Sequence, residues 1–163
     1  MSLLETARLR GLPLAESDLT ELIPLHRDER VLRAFGAEPE SDDETRAFLR
    51  RKLAHWEENG FGIWMFRAAD GSFVGRCGIH RWRGEVELGY IVQPELWRRG
   101  YATEMARAVA DHALTALGLR DLVAFTKTDN VASRRVMAKV GFHYERDYVE
   151  DDEHYVLYRL VSV

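Results

Sequence analysis

Cysteine is almost absent from this chain, which has one, Cys77, among its 163 residues. A single cysteine cannot form an intramolecular disulfide, and no group of Cys and His residues has the spacing of a structural zinc site. We therefore expect no disulfide and no bound metal. A lone cysteine within a strand is typical of a small buried hydrophobic side chain, which argues against a nucleophilic role for Cys77.

Long apolar runs are also missing. No uncharged apolar stretch approaches the ~20 residues that a membrane-spanning helix requires. The first five residues, MSLLE, lack the basic start and the apolar run of a secretory signal. We therefore expect a cytoplasmic protein without a membrane partner.

Neither sign of charge dominates the composition. The 23 Lys and Arg residues against 27 Asp and Glu residues give a formal net charge of −4, and the isoelectric point is about 5.9. This balance argues against a nucleic-acid binder and suits a basic or amine ligand better. With 46% hydrophobic residues and no linker-like change of composition, the chain is expected to fold as a single domain over residues 1–163.

Hydrophobic periodicity in the first third of the chain predicts one strand and two helices. The segment 6–14 alternates as a first strand. Asp18 with Glu21, and Ser41 with Glu44, have the spacing of capping boxes, so a helix is expected after each pair.

From Phe61 onwards the period changes to two, which is typical of strands. Turn signals at 70–71 (DG) and 83–84 (RG) predict three antiparallel strands joined by hairpins. The later elements are a helix over 101–117, a strand over 122–126, a helix over 131–140 and two closing strands, over 142–148 and 154–160. The order β-α-α-β-β-β-α-β-α-β-β predicts a mixed α/β sheet, mostly antiparallel, with a central βαβ unit.

One strand-to-helix connection has the chemistry of an anion site. Residues 92–104 read VQPELWRRGYATE, so a strand ends, a short loop follows with two arginines and Gly100, and a helix begins. The first N–H groups of a helix have no internal partner, and a glycine lets the backbone approach a diphosphate closely. From the residues alone, an ordinary strand–helix turn remains an equal alternative.

This segment resembles motif A of the GNAT N-acetyltransferases, whose pyrophosphate loop reads Gln/Arg-x-x-Gly-x-Gly/Ala. Gly100 and Ala102 match, and Trp97 stands where Gln or Arg is usual, as is common in the branch with the Rim-type ribosomal-protein N-terminal acetyltransferases. Residues 130–142, NVASRRVMAKVGF, are similar to the family's Asn-x-x-Ser…Glu-Lys-x-Gly-Phe segment, with Ala138 in place of Glu. The resemblance covers residues 6–160 and implies a GNAT fold with two splayed parallel strands.

The resemblance also implies where acetyl-CoA binds. In the family, the pantetheine arm pairs with the strand before the loop, the diphosphate lies on the loop amides, and the Asn of the second motif binds the arm. An N-cap role is the alternative for that Asn. The implied cofactor-binding residues are Ile91, Val92, Arg98, Arg99, Gly100, Tyr101, Ala102, Thr103, Asn130 and Ser133.

Two residues are candidates for catalysis. Glu87, in the family's Glu-x-Gly-Tyr pattern, is the expected general base, and a salt-bridged sheet residue is the alternative. Its side chain is expected on the strand face opposite that of Tyr90. Many enzymes of the family have a tyrosine that protonates the leaving thiolate, and Met137 occupies its place here. Ser133, or a tyrosine at 144 or 148, is therefore expected to assist the thiolate instead.

The sequence thus predicts an acetyl-CoA-dependent N-acetyltransferase that acts directly on a primary amine. The acceptor is the α-amine of a protein N-terminus or a small-molecule amine. The alternative is a CoA-binding sensor without turnover. The family resemblance alone implies a homodimer.

Overall fold

The computed structural model describes residues 2–163, and Met1 lies outside this range. Its strands are β1 Leu4–Glu5, β2 Leu9–Pro13, β3 Ile63–Ala68, β4 Phe73–Trp82, β5 Glu85–Val92, β6 Asp121–Lys127, β7 His143–Glu150 and β8 Glu153–Val161. Its α-helices are α1 Leu19–Leu25, α2 Glu29–Phe35, α3 Asp42–Asn59, α4 Tyr101–Asp111 and α5 Val131–Val140. Short 3₁₀ helices cover Glu16–Asp18 and Pro94–Leu96.

The described strands form one sheet in the order β1-β2-β3-β4-β5-β6-β8-β7. All neighbours are antiparallel except β5 and β6, which α4 connects as a parallel pair. That pair has a single register position, Glu87 opposite Val123. The two central strands therefore touch at one point and separate beyond it, as the family resemblance implied.

Local sequence signals explain most of the element boundaries. Ser41 and Glu44 form the predicted capping box at the start of α3, and Gly60, with φ +72°, ends this helix in the left-handed conformation. Arg83 (φ +48°) and Gly84 (φ +79°) make a two-residue turn with both φ values positive. Such a turn matches the twist of the β4–β5 hairpin.

The core lies between the sheet and the helices. The middle of β3 is buried on both faces, and Trp64 and Phe66 have no exposed surface. Helix α4 contributes its apolar stripe, of which Met105 and Val109 are fully buried. This packing holds β4 and β5 in place beneath α4.

Three sequence-based expectations need correction. The structure adds β1 and α2, the latter capped by Asp28, whose side chain accepts from the N–H of Arg30. The pair Asp18 and Glu21 forms no capping box, because Asp18 accepts from the N–H of Ala15 instead. The helix predicted over 101–117 is α-helical only to Asp111 and continues as a π-helical turn over His112–Ala116.

Candidate active site

The gap between β5 and β6 exposes the backbone of β5. The backbone N–H of Gln93 donates to the carbonyl of Val74 at 2.9 Å. These two residues are directly opposed in the β4–β5 ladder, so they form a hydrogen-bonded pair. Since bonding alternates along an antiparallel ladder, Ile91 also bonds towards β4, opposite Arg76. The main-chain groups of Tyr90 and Val92 therefore face the gap, and those of Ile91 do not.

Helix α4 begins with a row of unpaired amides. Its first backbone bond runs from the N–H of Glu104 to the carbonyl of Gly100 at 3.0 Å. The N–H groups of Gly100, Tyr101, Ala102 and Thr103 have no hydrogen-bond partner within residues 2–163. Gly100 has φ +81°, a conformation that favours glycine. A row of unpaired amides at a helix start is an arrangement that can bind an anion.

The side chains around this loop fall into two groups. Arg98 and Arg99 are exposed and form no ion pair with any described residue, so both guanidinium groups are available to a phosphate. The Trp97 indole N–H donates to the carbonyl of Val92 at 2.9 Å. The residue that departs from the family pattern thus fastens the loop to the end of β5.

Sequence analysis missed Arg8, which lies directly before β2 and contacts the loop. Its Nε lies 2.8 Å from Glu104 Oε1, its Nη2 donates to the carbonyl of Arg99 at 2.9 Å, and its guanidinium lies 4.2 Å from the ring centroid of Tyr101. These partners are more than 90 residues away in sequence, so no local pattern reveals the contact.

Asn130 caps helix α5. Its Oδ1 accepts from the N–H of Ser133 at 3.1 Å, and its Nδ2 donates to the carbonyl of Ala34 at 3.0 Å. The side chain therefore holds the start of α5 against α2. This is the N-cap alternative raised from the sequence, and both polar atoms of the amide already have protein partners.

Ser133 forms a buried hydroxyl pair with Tyr90. The two oxygens lie 2.7 Å apart, and the Tyr90 hydroxyl also lies 3.1 Å from the carbonyl of Ser133, to which it can donate. Burial raises the pKa of Tyr90, so its phenol stays protonated at neutral pH. Met137 is a buried core residue, and Tyr144 is exposed and bonded to Asp147.

Glu87 is buried on the opposite face of β5, and its exposed fraction is 6%. Its Oε2 lies 3.1 Å from His80 Nδ1. A β-carbon built on Gly89 would lie 3.4 Å from Oε1, so the carboxylate leans over this glycine. Because residue 89 is a glycine, no side chain at this position covers the carboxylate.

The electrostatics of this pair suit proton transfer near pH 7. Burial raises the pKa of Glu87 to about 7, and the cations Lys52 and Arg76 partly oppose that shift. Burial, followed by the charges of Lys52, His55 and Arg76, lowers the pKa of His80 to about 4. At neutral pH His80 is therefore neutral, and Glu87 exchanges a proton readily.

Four aromatic rings pack together on the Glu87 face of the sheet. Trp82 stacks on Phe125 with centroids 4.9 Å apart, and Tyr148 stacks on Tyr155 at 5.2 Å. The Tyr148 hydroxyl is buried and has no hydrogen-bond partner within residues 2–163. The four rings give the Glu87 face an apolar wall.

Within the described part of the chain, no group of three His, Cys, Asp or Glu side chains is arranged to hold a metal ion. Helices long and apolar enough to cross a membrane are likewise missing from residues 2–163. Cys77 is buried, and burial raises the pKa of its thiol, which leaves a thiolate nucleophile disfavoured.

The sequence matches the family model of the GNAT acetyltransferase domain over residues 8–143. The chain therefore belongs to the GNAT acetyltransferases and is a transferase enzyme. It is 30% identical over 148 residues to the uncharacterized N-acetyltransferase YoaA of Bacillus subtilis, covering 88% of this chain and 84% of that protein. It is 33% identical over 150 residues to the FsC-acetyl coenzyme A-N(2)-transacetylase of Aspergillus fumigatus, covering 85% of this chain and 63% of that protein.

Solved structures agree with the fold. An acetyltransferase from Agrobacterium tumefaciens superposes with a TM-score of 0.86 at 27% identity, covering 98% of this chain and 94% of that one. The ribosomal-protein α-N-acetyltransferase RimL, solved in complex with coenzyme A, gives 0.86 at 15% identity, covering 99% and 98%. The predicted family and fold are thus confirmed.

Proposed function

We propose that this enzyme transfers the acetyl group of acetyl-CoA directly to a primary amine, with Glu87 as the general base. The observation that carries the proposal is a buried carboxylate, 3.1 Å from His80 Nδ1, at the register position beyond which β5 and β6 separate. Burial raises the pKa of this carboxyl group to about 7. A carboxylate with that pKa is matched to accepting a proton at neutral pH.

The residues at the gap fit acetyl-CoA, which supplies the acetyl group as a thioester. The unpaired amides from Gly100 to Thr103 would hold the diphosphate, and the exposed Arg98 and Arg99 would add charge. The main-chain groups of Tyr90 and the N–H of Val92 would pair with the pantetheine arm as an added strand does. Ile91, predicted for that backbone role, would contribute only side-chain contact.

The two faces of β5 would divide the proton transfers. On one face Glu87 takes the proton that the amine must lose, because only a neutral amine attacks a thioester. On the other face Ser133, hydrogen-bonded to Tyr90, assists the leaving thiolate. Such assistance is a small contribution, since a thiol with a pKa of about 8.5 leaves readily. Tyr148, whose buried hydroxyl has no partner within residues 2–163, is the second candidate for assisting the thiolate, and it would act from the Glu87 face instead.

The decisive experiment is incubation of the protein with labelled acetyl-CoA and a panel of small amines and N-terminal peptides, read by mass spectrometry. We expect acetylated amine from the wild type, and much less from Glu87→Gln at equal acetyl-CoA affinity. Tight binding of acetyl-CoA without any acetylated amine would identify a CoA-binding sensor instead.

A further inference from the structure

Two cations on the Glu87 face have no ion-pair partner. Arg76 lies on β4 opposite Ile91, and Lys52 lies on α3. Within residues 2–163, no carboxylate oxygen comes within 4.0 Å of either charged group. Both side chains are half-buried, and this burial lowers the pKa of Lys52 and lowers that of Arg76 to about 10. A partly desolvated cation without a counterion gains free energy when an anion reaches it.

A hydrogen-bonded chain orients the Arg76 guanidinium. Its Nε donates to His26 Nε2 at 3.3 Å, and His26 Nδ1 lies 3.0 Å from Glu40 Oε2, which also accepts from Thr45 at 3.0 Å. Burial, and then the charge of Arg76, lowers the pKa of His26, so the ring is neutral with its proton on Nδ1. Among the nitrogens of Arg76, Nε alone donates a hydrogen bond in this network. Both terminal nitrogens have no hydrogen-bond partner among the described residues.

The ring of Phe48 brings the two cations together. Arg76 Cζ lies 5.0 Å and Lys52 Nζ lies 5.5 Å from its centroid, and His26 packs edge-on at 4.7 Å. Both charges act on Glu87, whose carboxylate leans over Gly89 towards the Arg76 end of the face. Glu87, Gly89 and Ile91 follow one another on this face of β5, and Ile91 lies opposite Arg76 in the β4–β5 ladder. A ligand over Gly89 would therefore meet the carboxylate at one end and the two unpaired cations at the other.

We propose that the acceptor is an amine that also carries a carboxylate close to its amino group, as a free α-amino acid does. Arg76 binds that carboxylate with its two terminal nitrogens, Lys52 adds a second positive charge, and Glu87 takes the proton of the amine. This inference rests on the proposed function, because it assigns the acceptor of the same site. A polyamine would instead place a further positive charge beside two unpaired cations, which is unfavourable.

The test compares acceptors that differ only in the anionic group. Acetylation rates are measured for free amino acids, for their carboxamides, for phosphoethanolamine and for spermidine. We expect kcat/KM for the carboxylates to exceed that for the matched carboxamides by about tenfold or more, roughly one good charge-assisted contact. Phosphoethanolamine separates a phosphate-selective site from a carboxylate-selective one. A preference for the phosphate, for the carboxamides or for spermidine overturns the inference and leaves the proposed function intact.

Variants assign the preference to Arg76. Arg76→Gln should raise KM for the carboxylates, reduce their advantage over the carboxamides and leave acetyl-CoA affinity by calorimetry unchanged. Arg81→Gln is the matched control, because Arg81 lies on the same strand over the ring of Phe61 at 5.3 Å but is exposed. If Arg76→Gln does not fold, Lys52→Gln should lose part of the same preference. An unchanged preference in the folded variants overturns the assignment, and no acetylation of any amine would contradict the proposed function itself.

Discussion

Glu87 and His80 show how one sheet position gives a carboxyl group a pKa near the neutral range. The two residues are directly opposite in the β4–β5 ladder, and burial shifts both towards their neutral forms. A neutral histidine at 3.1 Å offers the carboxylate a polar neighbour without an opposing full charge. The pKa of the carboxyl group therefore stays at about 7, close to neutral pH. A salt bridge to a full positive charge would instead lower that pKa.

The raised pKa of Glu87 has a stability cost with a defined pH window. The pKa is about 7 in the folded protein against 4.5 in the unfolded chain, so stability from this group is complete below pH 4.5 and declines as the pH rises to about 7. Glu87→Gln removes this decline. We expect the free energy of unfolding of the variant, minus that of wild type, to be larger at pH 8 than at pH 4 by on the order of 3 kcal/mol. The variant is thus relatively more stable at the higher pH. Urea unfolding of both proteins at the two pH values measures this, and equal differences would contradict the shift.

Ser133 is the residue where a catalytic role and a structural role predict different outcomes. Ser133→Ala leaves the Tyr90 hydroxyl bonded to the carbonyl of residue 133, so we expect a stability loss of about 1 kcal/mol or less. If the hydroxyl assists the thiolate, kcat falls several-fold while KM for acetyl-CoA stays constant. Tyr90→Phe is the companion variant and should lower kcat less. A kcat equal to wild type in Ser133→Ala would transfer the role to Tyr148.

At the scale of elements, the sequence is a good guide where local signals dominate. The bounds predicted for α5 match the structure, and the turn predicted at 83–84 joins β4 to β5, since an Asn cap and a hairpin turn define these positions. Helix α2 was missed although Asp28 and Gly36 mark its ends. The capping box predicted for Asp18 and Glu21 does not form. The Asp18 carboxylate instead accepts from the N–H of Ala15 and pairs with Arg67, which β3 brings close.

The same distinction holds for the candidate site. Glu87 and the Gly100 loop were identifiable from their motifs. His80, Arg76 and Lys52 were not, because strand register and the placement of α3 bring them to Glu87. The direction of the Ile91 backbone was likewise not readable from the sequence, since only the register with β4 decides which carbonyls face the gap.

The start of α4 yields an element-scale prediction. Gly100→Val adds a side chain to a left-handed position where the diphosphate would approach, so we expect acetyl-CoA affinity to fall at least about tenfold. Gly118→Val is the matched control, because Gly118 also has positive φ (+66°) but lies after the π-helical turn, with nothing within 4 Å of an added β-carbon. Calorimetry on the folded variants measures both. Equal affinity losses would show that backbone strain, and not the loop, is responsible.

At the scale of the whole molecule, the sheet separates two groups of candidate residues. Helix α5 lies on the Tyr90 face, where the hydroxyl pair is buried, and α3 lies on the Glu87 face, where Phe48 contacts Arg76. The gap between β5 and β6 joins the two faces. The net charge of −4 describes the surface as a whole, whereas the Glu87 face contains unpaired cations, so overall charge is a poor guide to the acceptor.

The pH dependence of kcat for wild type and Glu87→Gln tests the central claim most directly. With a saturating amine acceptor, wild-type kcat should rise with pH through an apparent pKa of about 7, as Glu87 ionises. Glu87→Gln should bind acetyl-CoA normally, lose that rise and be slower at neutral pH by about a hundredfold, the scale of general-base catalysis. The deficit should shrink at high pH, where the amine is already neutral. A variant profile parallel to that of wild type, at similar kcat, would contradict the assignment of Glu87 as the base.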